Sequence, residues 1–413
     1  MILEICKKAK LASTKLAKLS AEEKNLAVCK MADALETNKD QILAANKKDT
    51  GVAKDKGLKE ALLDRLELDN GKIANMACCL REVAELADPV GKIVKTWTRP
   101  NGLVIGQIRV PLGVVGMIYE SRPDVTSDAT GICIKSGNAV ILRGGSDAIN
   151  SNIAIGKVLR DALAKTSVPM DALQVISSTE RKVAEEFMRM RNYVDVLIPR
   201  GGSDLIRTVV EKASIPAIET GTGNCHIYID EDANLDKAIP IIVNAKCQRP
   251  GTCNAAEKLL VHTAIAKEFL PVAIAALRAK GVEIRGCEKT AAIVKDVKLA
   301  TEEDWYREYL DFIIGVKVIK SLDEAIAHVN KYSTKHSESI LTASFDKAMR
   351  FIKEVDSAAV YWNASTRFTD GNQFGLGAEI GISTQKLHAR GPMSVEQLTT
   401  TKYFILGSGQ IRK

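Results

Sequence analysis

The chain of 413 residues has little of what marks membrane, secreted or nucleic-acid-binding proteins. It contains no run of about 18 apolar residues, so no membrane span is expected. Its N-terminus lacks the continuous apolar segment of a signal peptide. Aromatic residues make up 5% of the chain, and no dense Lys/Arg stripe is interleaved with them, which argues against nucleic acid as a partner. The net charge of +7 suits a protein that handles small anions such as phosphates or carboxylates.

The cysteine pattern excludes two further classes. The nine cysteines are odd in number, no two are spaced as Cys-x-x-Cys, and no Cys/His group has the spacing of zinc ligands. Neither a disulfide scaffold nor a metal site is therefore predicted. We expect reduced thiols and a cytoplasmic protein.

Length and periodicity predict an α/β protein of two or three domains. Residues 1 to about 95 have helical periodicity, and Ser20 and Glu23 have the spacing of a capping box. From residue 103 onward, strands and helices alternate, which predicts a parallel sheet with helices on its faces. The alternation resumes after residue 257, so we expect a second α/β domain there.

Two short loops share the sequence Arg-Gly-Gly-Ser, at 143–146 and at 200–203. Each follows a predicted strand and opens a predicted helix, at the edge of a parallel sheet where ligands bind. Glycines let the backbone approach a phosphate, and a helix N-terminus offers free N–H groups. Neither loop is a Gly-x-Gly-x-x-Gly fingerprint, and ordinary turn glycines are the alternative. Two copies, each with an arginine, favour anion or dinucleotide binding.

A β-rich arm is predicted from two segments that lie far apart in the sequence. Residues 103–110 alternate apolar with small or polar residues, and residues 399–406 (TTTKYFIL) have strong strand propensity. Together they could form an arm whose edge pairs with another subunit.

The segment 247–257 (CQRPGTCNAAE) has the layout of a reactive-thiol loop. Cys253 lies in a polar stretch that contains Pro and Gly, and a predicted strand follows this stretch. A single cysteine in such a setting is a candidate nucleophile. Cys247, predicted to lie on the preceding helix, is the runner-up. Cys225 and Cys133 stand in apolar runs and are predicted to pack in the core.

Long motifs in both halves of the chain carry a resemblance to one family. The motifs are 120–124 (ESRPD), 248–257 (QRPGTCNAAE), 363–368 (NASTRF), 375–384 (GLGAEIGIST) and 388–392 (HARGP). They resemble the gamma-glutamyl phosphate reductases (glutamate-5-semialdehyde dehydrogenases), a branch of the aldehyde dehydrogenase superfamily. The resemblance covers essentially the whole chain and is to the stand-alone bacterial form.

This resemblance implies an aldehyde dehydrogenase-like α/β fold in three parts. Residues 1–96 and 113–242 would form a Rossmann-like NADP-binding domain, 243–394 a catalytic domain, and 97–112 with 395–413 a small β oligomerisation arm. The implied reaction is the NADPH-dependent reduction of L-glutamyl 5-phosphate to L-glutamate 5-semialdehyde and phosphate, in proline biosynthesis. The expected partners are this small-molecule substrate, further copies of the chain in a homodimer or homotetramer and, because the acyl phosphate is labile, glutamate kinase.

The resemblance also assigns catalytic residues. Cys253 would attack the acyl phosphate and form a thioester, with its own backbone N–H holding the oxyanion. Aldehyde dehydrogenases generally add an asparagine donor where this chain has 120–122 (ESR), so Ser121 and Asn254 are the candidates for the second donor. Glu219 falls where the superfamily carries the base that activates hydrolytic water. Here it would position the nicotinamide, shuttle a proton, or be a solvated loop carboxylate.

The cofactor residues follow from the same resemblance. The loop 143–146 matches the adenosine-ribose loop, and its serine and arginine favour NADP, while Asp147 weighs the other way. The loop 200–203 is the candidate pyrophosphate loop, and Glu308 resembles the glutamate that holds the nicotinamide ribose. The predicted cofactor-binding residues are Arg143, Gly144, Gly145, Ser146, Gly201, Gly202, Ser203 and Glu308.

The substrate carries a phosphate, a carboxylate and an ammonium group. Arginine suits the two anionic groups through bidentate contacts, although any one arginine could instead form a structural ion pair. Polar side chains of 363–368 would bind the amino-acid end. The predicted substrate-binding residues are Ser121, Arg122, Arg249, Asn363, Ser365, Thr366, Arg367 and Arg390.

Two other functions stay open at this point. A hydrolytic NAD(P)-dependent aldehyde dehydrogenase would use Glu219 as its base, and its oxidation of the semialdehyde would not depend on phosphate. A catalytically silent oligomer that binds nucleotide or kinase is the second, and the intact Cys253 loop argues against it.

Overall fold

The computed structural model describes residues 1–58 and 60–412, with only the backbone of 60–62. The chain divides into two compact units, each with its own parallel sheet. The first unit comprises Met1–Thr220, Gly375–Gly381 and Met393–Lys413, and the second comprises Gly221–Phe374 and Ile382–Pro392.

The first unit begins with helices and then alternates strands and helices, as the sequence pattern predicts. The predicted capping box is confirmed, because Ser20 and Glu23 exchange hydrogen bonds between side chain and main chain at 3.2 and 2.8 Å. Its helices are α1 (Ile2–Leu16), α2 (Ala21–Thr37), α3 (Lys39–Asp55), α4 (Glu60–Leu66), α5 (Asn70–Glu85), α6 (Asp124–Lys135), α7 (Ile149–Leu163), α8 (Arg181–Phe187) and α9 (Ser203–Lys212). Its strands before residue 220 are β1 (Ile93–Thr98), β2 (Val104–Pro111), β3 (Val114–Tyr119), β4 (Ala139–Gly144), β5 (Leu173–Val175) and β6 (Val196–Arg200). The predicted helical region ends earlier than residue 95, because β1 begins at Ile93 and pairs with β2.

A four-stranded parallel sheet in the order β5-β4-β3-β6 forms the centre of this unit. Tyr119, the last residue of β3, pairs with Gly144 of β4 and Arg200 of β6. The three strands therefore end side by side, and both Arg-Gly-Gly-Ser loops leave the sheet at that edge, beside residue 120. Apolar side chains fill β3 on both faces, as expected where helices cover a parallel sheet.

The second unit is organised around a seven-stranded parallel sheet in the order β10-β9-β11-β8-β7-β12-β13. Side chains alternate across it: Ile227 and Leu259 join one apolar cluster, whereas Tyr228 and Leu260 join the other. Its strands are β7 (Cys225–Ile229), β8 (Ala256–His262), β9 (Glu283–Gly286), β10 (Lys298–Leu299), β11 (Ile313–Ile319), β12 (Ser337–Leu341) and β13 (Ala359–Trp362). Its helices are α10 (Leu235–Cys247), α11 (Ala266–Arg278), α12 (Glu288–Ile293), α13 (Glu302–Tyr306), α14 (Leu322–Tyr332) and α15 (Phe345–Glu354).

The border between the units differs from the boundary predicted at residue 242. Strand β7 pairs with β8 and β12, so the segment 225–247 belongs to the sheet that also carries the Cys253 loop. The physical reason is pairing, since a strand is stabilised by its hydrogen-bonded neighbours.

The last strands are β14 (Gly381–Ser383), β15 (Gly391–Met393) and β16 (Thr399–Leu406). Strand β16 pairs antiparallel with β2, from Thr399 opposite Pro111 to Leu406 opposite Val104, and β1 completes a three-stranded sheet. The two predicted arm segments thus come together. Pairing of this arm with another subunit stays a prediction. Among the residues that the structure describes, no helix is long and apolar enough to cross a membrane.

Candidate active site

Cys253 lies on a short turn between a helix and a strand of the second unit. Helix α10 ends at Cys247, and β8 begins at Ala256. The N–H of Ala255 donates to the carbonyl of Thr252 at 3.1 Å, which makes Cys253 and Asn254 the two central residues of a β-turn. Cys253 is half-buried, whereas Cys225 is fully buried in β7, as predicted.

Asn254 anchors this turn to the rest of the unit. Its side chain is 4% exposed, and its amide donates to the carbonyl of Thr369 at 2.8 Å. Its side-chain oxygen accepts from Thr252 at 3.0 Å and from the guanidinium of Arg367. The hydroxyl of Thr366 donates to the main-chain carbonyl of Asn254 at 2.7 Å. These contacts give Asn254 and Thr366 roles in holding the loop, and the use of Asn254 as an oxyanion donor stays a prediction.

Gly223 approaches the turn more closely than a side chain would allow. A Cβ atom at this position would lie 1.3 Å from the carbonyl oxygen of Cys253. The N–H of Gly223 donates to the carboxylate of Glu308 at 2.5 Å. The structure therefore places Glu308, the predicted nicotinamide-ribose residue, against the segment that leads into β7 and supports Cys253.

The loop that carries Glu308 is itself held by a buried carboxylate. Glu257 accepts the N–H groups of Tyr309 and Leu310 at 3.3 and 3.2 Å, and its carboxylate lies 3.3 Å from the ammonium of Lys246. Burial raises the pKa of Glu257 to about 7, which the two neighbouring lysines oppose. Burial also lowers the pKa of Lys258 to about 8. The ion pair of Lys246 with Glu257 offsets part of the cost of burying both charges.

The predicted substrate arginines of this unit have different surroundings. Arg367 donates to the side-chain oxygen of Gln248 at 3.0 Å as well as to Asn254, and burial lowers its pKa. Arg249, on the Cys253 loop, is exposed. Arg390 pairs with Asp356 at 2.9 Å, the structural ion pair named above as the alternative, and its binding of the substrate stays a prediction.

The polar residues of 363–368 are used in local structure. Asn363 has a φ of +55°, and its amide donates to the carbonyl of Thr342 at 2.9 Å. Ser365 is 4% exposed, and its hydroxyl accepts the N–H of Arg367 at the start of a short 3₁₀ helix. Both therefore have structural contacts, and their binding of the substrate stays a prediction.

In the first unit, the loop 200–203 presents main-chain N–H groups at the start of α9. The N–H of Gly202 donates to the carboxylate of Glu120 at 2.9 Å. A Cβ atom on Gly201 would lie 2.4 Å from the same carboxylate. A helix N-terminus that takes up a carboxylate in a glycine cradle has the donors for a phosphate oxygen, so these residues fit the pyrophosphate of a dinucleotide.

The loop 143–146 has the same sequence but a different environment. Arg143 donates to the carbonyl of Thr179 at 2.9 Å, and burial lowers its pKa. Gly144 is buried, and a Cβ atom there would lie 2.0 Å from the amide nitrogen of Asn152. The loop leads into a 3₁₀ turn, Ser146–Ala148, before α7. Gly144 is therefore required for packing, whereas Gly145 and Ser146 are accessible.

The remaining predicted residues of the first unit lie near these loops or between elements. Ser121 has a φ of +38° and donates to Asp147 at 3.2 Å, next to Ser146. Arg122 is half-buried, close enough to oppose the burial-raised pKa of Asp128. Glu219 is half-buried in the segment that joins α9 to the second unit.

Sequence reasoning missed the support of the Cys253 turn and the partner of Gly202. Gly223, just before β7, leaves space for the turn, Cys225 in β7 donates to it, and Glu120 faces Gly202. The only signal for the first pair was the glycine-rich segment 220–225 (TGTGNC) directly before a buried strand. No local signal indicated the contact of Glu120 with Gly202, because it joins the ends of two neighbouring strands of the sheet.

Comparison with known proteins defines the class first. The sequence matches the model of the aldehyde dehydrogenase family over residues 2–284. The chain therefore belongs to the aldehyde dehydrogenase family of oxidoreductases, which implies a nicotinamide cofactor.

Within that class, the relatives are more specific. The chain is 61% identical to a gamma-glutamyl phosphate reductase of Caldanaerobacter subterraneus and 59% identical to one of Clostridium perfringens, with 98% of each chain covered in both comparisons. The crystal structure of gamma-glutamyl phosphate reductase from Thermotoga maritima is 53% identical and superimposes with a TM-score of 0.96 over 100% of both chains. The chain belongs to the gamma-glutamyl phosphate reductase family.

Proposed function

We propose that this protein reduces L-glutamyl 5-phosphate to L-glutamate 5-semialdehyde with release of phosphate, in the second step of proline biosynthesis from glutamate. The observation that carries the proposal is the half-buried Cys253, on a turn whose main chain is tied to buried groups and which lies beside Arg367. Family membership supplies the substrate class.

The proposed chemistry begins at the sulfur of Cys253. Its thiolate attacks the acyl carbon, the bond to the phosphate oxygen breaks, and phosphate leaves with the electron pair. The backbone N–H of Cys253 donates to the oxyanion of the tetrahedral intermediate. After reduction of the thioester, the thiohemiacetal on Cys253 collapses, releasing the aldehyde and the free thiol. We assign Arg249 and Arg367 to the anionic groups of the substrate, with Arg122 as a further candidate.

A nicotinamide cofactor, which we propose to be NADPH, supplies the hydride. Gly201, Gly202 and Ser203 would hold its pyrophosphate at the start of α9. Gly145 and Ser146, with the cation of Arg143, would hold the adenosine ribose and its phosphate, and Glu308 the nicotinamide ribose. Glu219 would orient the nicotinamide or carry a proton while water is kept from the thioester.

We propose the domain roles given above for the parts of the chain, with 97–112 and 395–413 as the arm of a homodimer or homotetramer. None of the nine cysteines, all of which lie in the described part of the chain, forms a disulfide, which fits a cytoplasmic protein. Because the acyl phosphate is labile, we also propose that glutamate kinase transfers it directly to this protein.

The test is the reverse reaction. With glutamate semialdehyde and NADP, we expect NADP reduction that requires inorganic phosphate, because phosphate must attack the thioester. Turnover at the same rate without phosphate would contradict the proposal and indicate a hydrolytic aldehyde dehydrogenase. Running NAD beside NADP tests the cofactor, and equal or greater efficiency with NAD would overturn the assignment of NADP.

A further inference from the structure

We propose that Cys225 is a positioning residue for Cys253, because its thiol holds the central peptide of the Cys253 turn in one orientation. The proposal deepens the proposed function, since it rests on Cys253 as the nucleophile. Cys225 itself touches no substrate, because its side chain is fully buried in β7.

The contact that carries the proposal joins a thiol to a main-chain carbonyl. The sulfur of Cys225 lies 3.1 Å from the carbonyl oxygen of Cys253 and donates to it. Burial raises the pKa of Cys225 well above its ordinary value, and the carboxylates of Glu338 and Glu308 raise it further. The group therefore stays a protonated donor at any pH at which the protein works.

This carbonyl belongs to the peptide that has most freedom in a β-turn. Type I and type II turns differ mainly by a rotation of the central peptide, with little change at the ends, and type II requires a positive φ at the third residue. In this turn the third residue is Asn254, and asparagine tolerates positive φ better than most residues. Asn254 is not among the described residues with positive φ. The central peptide of this turn thus has the type I orientation, with the carbonyl of Cys253 directed at Cys225. The sequence of the turn would also allow the type II orientation.

Two neighbours make the inward orientation of the carbonyl specific. Gly223 leaves the space for it, because a Cβ atom there would lie 1.3 Å from the oxygen. Thr366 donates to the carbonyl of Asn254, in the next peptide, at 2.7 Å and so holds the end of the turn. Because a trans peptide is planar, fixing the carbonyl of Cys253 also fixes the N–H of Asn254 on the opposite side.

The thiol of Cys225 also belongs to a buried polar network that contacts the turn at a second point. Its sulfur lies 3.9 Å from Nδ1 of His336, which lies 2.8 Å from the hydroxyl of Ser337. Ser337 donates to the hydroxyl of Thr369 at 2.6 Å, and the carbonyl of Thr369 accepts from the amide of Asn254 at 2.8 Å. Both central residues of the turn are therefore tied to one buried network, which fits a geometric role better than simple filling of the core.

The test compares three variants in the full-length protein. Cys225→Ala removes the donor, Cys225→Ser replaces it with a hydroxyl, and Cys133→Ala removes an equally buried thiol from α6 in the first unit. Three properties are measured: kcat and KM, the thermal unfolding midpoint, and the rate at which iodoacetamide alkylates Cys253 between pH 6 and 10, followed by peptide mass spectrometry.

We expect Cys225→Ala to lower kcat and the alkylation rate of Cys253 about five- to tenfold, as loss of one hydrogen bond predicts, with KM unchanged. Cys225→Ser should recover most of both. Cys133→Ala should lower the unfolding midpoint by a similar amount as Cys225→Ala and leave both rates unchanged. The proposal is overturned if Cys225→Ala leaves both rates unchanged, or if Cys225→Ser is as impaired as Cys225→Ala. Alkylation needs no substrate, so this result is distinct from failure of the proposed function, which Cys253→Ala would reveal by retaining turnover.

Discussion

The Cys253 turn and the loop 200–203 both present main-chain groups beside a sheet, but they are held in different ways. Around Cys253, fully buried side chains such as Cys225 and Thr366 fix the carbonyls. At the other loop, the N–H of Gly202 meets the carboxylate of Glu120, which is exposed. A buried support keeps one geometry, as attack on a defined carbon requires, whereas an exposed carboxylate can be exchanged for another anion. Under the proposed function, the first region is preorganised for chemistry and the second binds an anion that can be exchanged.

The largest effect should come from adding one methyl group to each region. Gly223→Ala places a Cβ atom against the carbonyl of Cys253, whereas the nearest atom at Gly202 is the Glu120 carboxylate at 3.9 Å. We expect Gly223→Ala to slow both turnover and alkylation of Cys253 by at least about 100-fold, because misplacement by about 1 Å has that cost. Gly202→Ala should leave alkylation of Cys253 unchanged. Equal alkylation rates in the two variants would remove the distinction between the regions.

A second comparison removes one cation from a buried pair and one from an exposed pair. Lys246 and Glu257 are both fully buried, whereas Arg207 and Asp204 on α9 are 67% and 87% exposed. Lys246→Met should lower the free energy of unfolding by about 3 kcal/mol, because the buried Glu257 loses the ammonium that is paired with it. Arg207→Met should cost less than about 1 kcal/mol. Urea titration of both variants measures the difference, and similar losses would mean that the network around Glu257 is not tightly held.

The buried imidazole of His328 gives the second unit a pH dependence. Burial lowers the pKa of His328 to about 2, so below pH 6.5 the unfolded chain binds a proton that the folded chain does not. This part of the stability is present above pH 6.5 and is lost as pH falls, by about 1 kcal/mol between pH 6.5 and 5.5. Glu338, whose pKa burial raises to about 8, acts oppositely and loses stability as pH rises from about 4.5.

A matched pair of variants separates these contributions. Relative to the wild type, His328→Asn should gain about 1 kcal/mol of unfolding free energy between pH 6.5 and 5.5, because the contributions of Glu338 and the other groups are unchanged. His388→Asn, at an exposed position, should keep the wild-type slope. If His328→Asn has the wild-type slope as well, the imidazole is not buried in its neutral form.

The smallest effect is expected at the loop 200–203. If Glu120 occupies the donor of Gly202 that a phosphate would use, Glu120→Gln should tighten NADPH binding about three- to tenfold, since a like charge is removed. Glu211→Gln, exposed at the other end of α9, should leave the affinity unchanged. Fluorescence titration of NADPH without substrate measures both. Weaker binding in Glu120→Gln would show that the carboxylate contacts the cofactor and does not compete with it.

Local sequence patterns predicted the helices and strands, because helix caps and the alternation of a strand depend on residues that are close together in the sequence. Strand β16 was predicted with the bounds that it has, and the capping box at Ser20 is present. The border near residue 220 could not be predicted, since it depends on the pairing of β7 with β8. The two Arg-Gly-Gly-Ser loops are the clearest case: one sequence has two environments, because Asn152 packs on Gly144 while Glu120 faces Gly202.

For the candidate site, the sequence predicted a candidate nucleophile at Cys253, and the contacts that hold its turn were missed. The polar segment 247–257 predicted that Cys253 is accessible. Cys225 was correctly predicted to be buried, yet its contact with Cys253 arises only when β7 and β8 lie side by side. Arg390 was grouped with the substrate arginines because of its motif, and its partner Asp356 could be found only in three dimensions.

The most direct test of the account traps the covalent intermediate. The protein is mixed with glutamate semialdehyde and NADP in the absence of phosphate, quenched in acid and digested, and the peptides are analysed by mass spectrometry. We predict a glutamyl thioester on Cys253, discharged when phosphate is added before the quench. A glutamyl group on Cys247 or on any other residue, or no adduct while NADP is reduced, would contradict the assignment of Cys253 as the nucleophile.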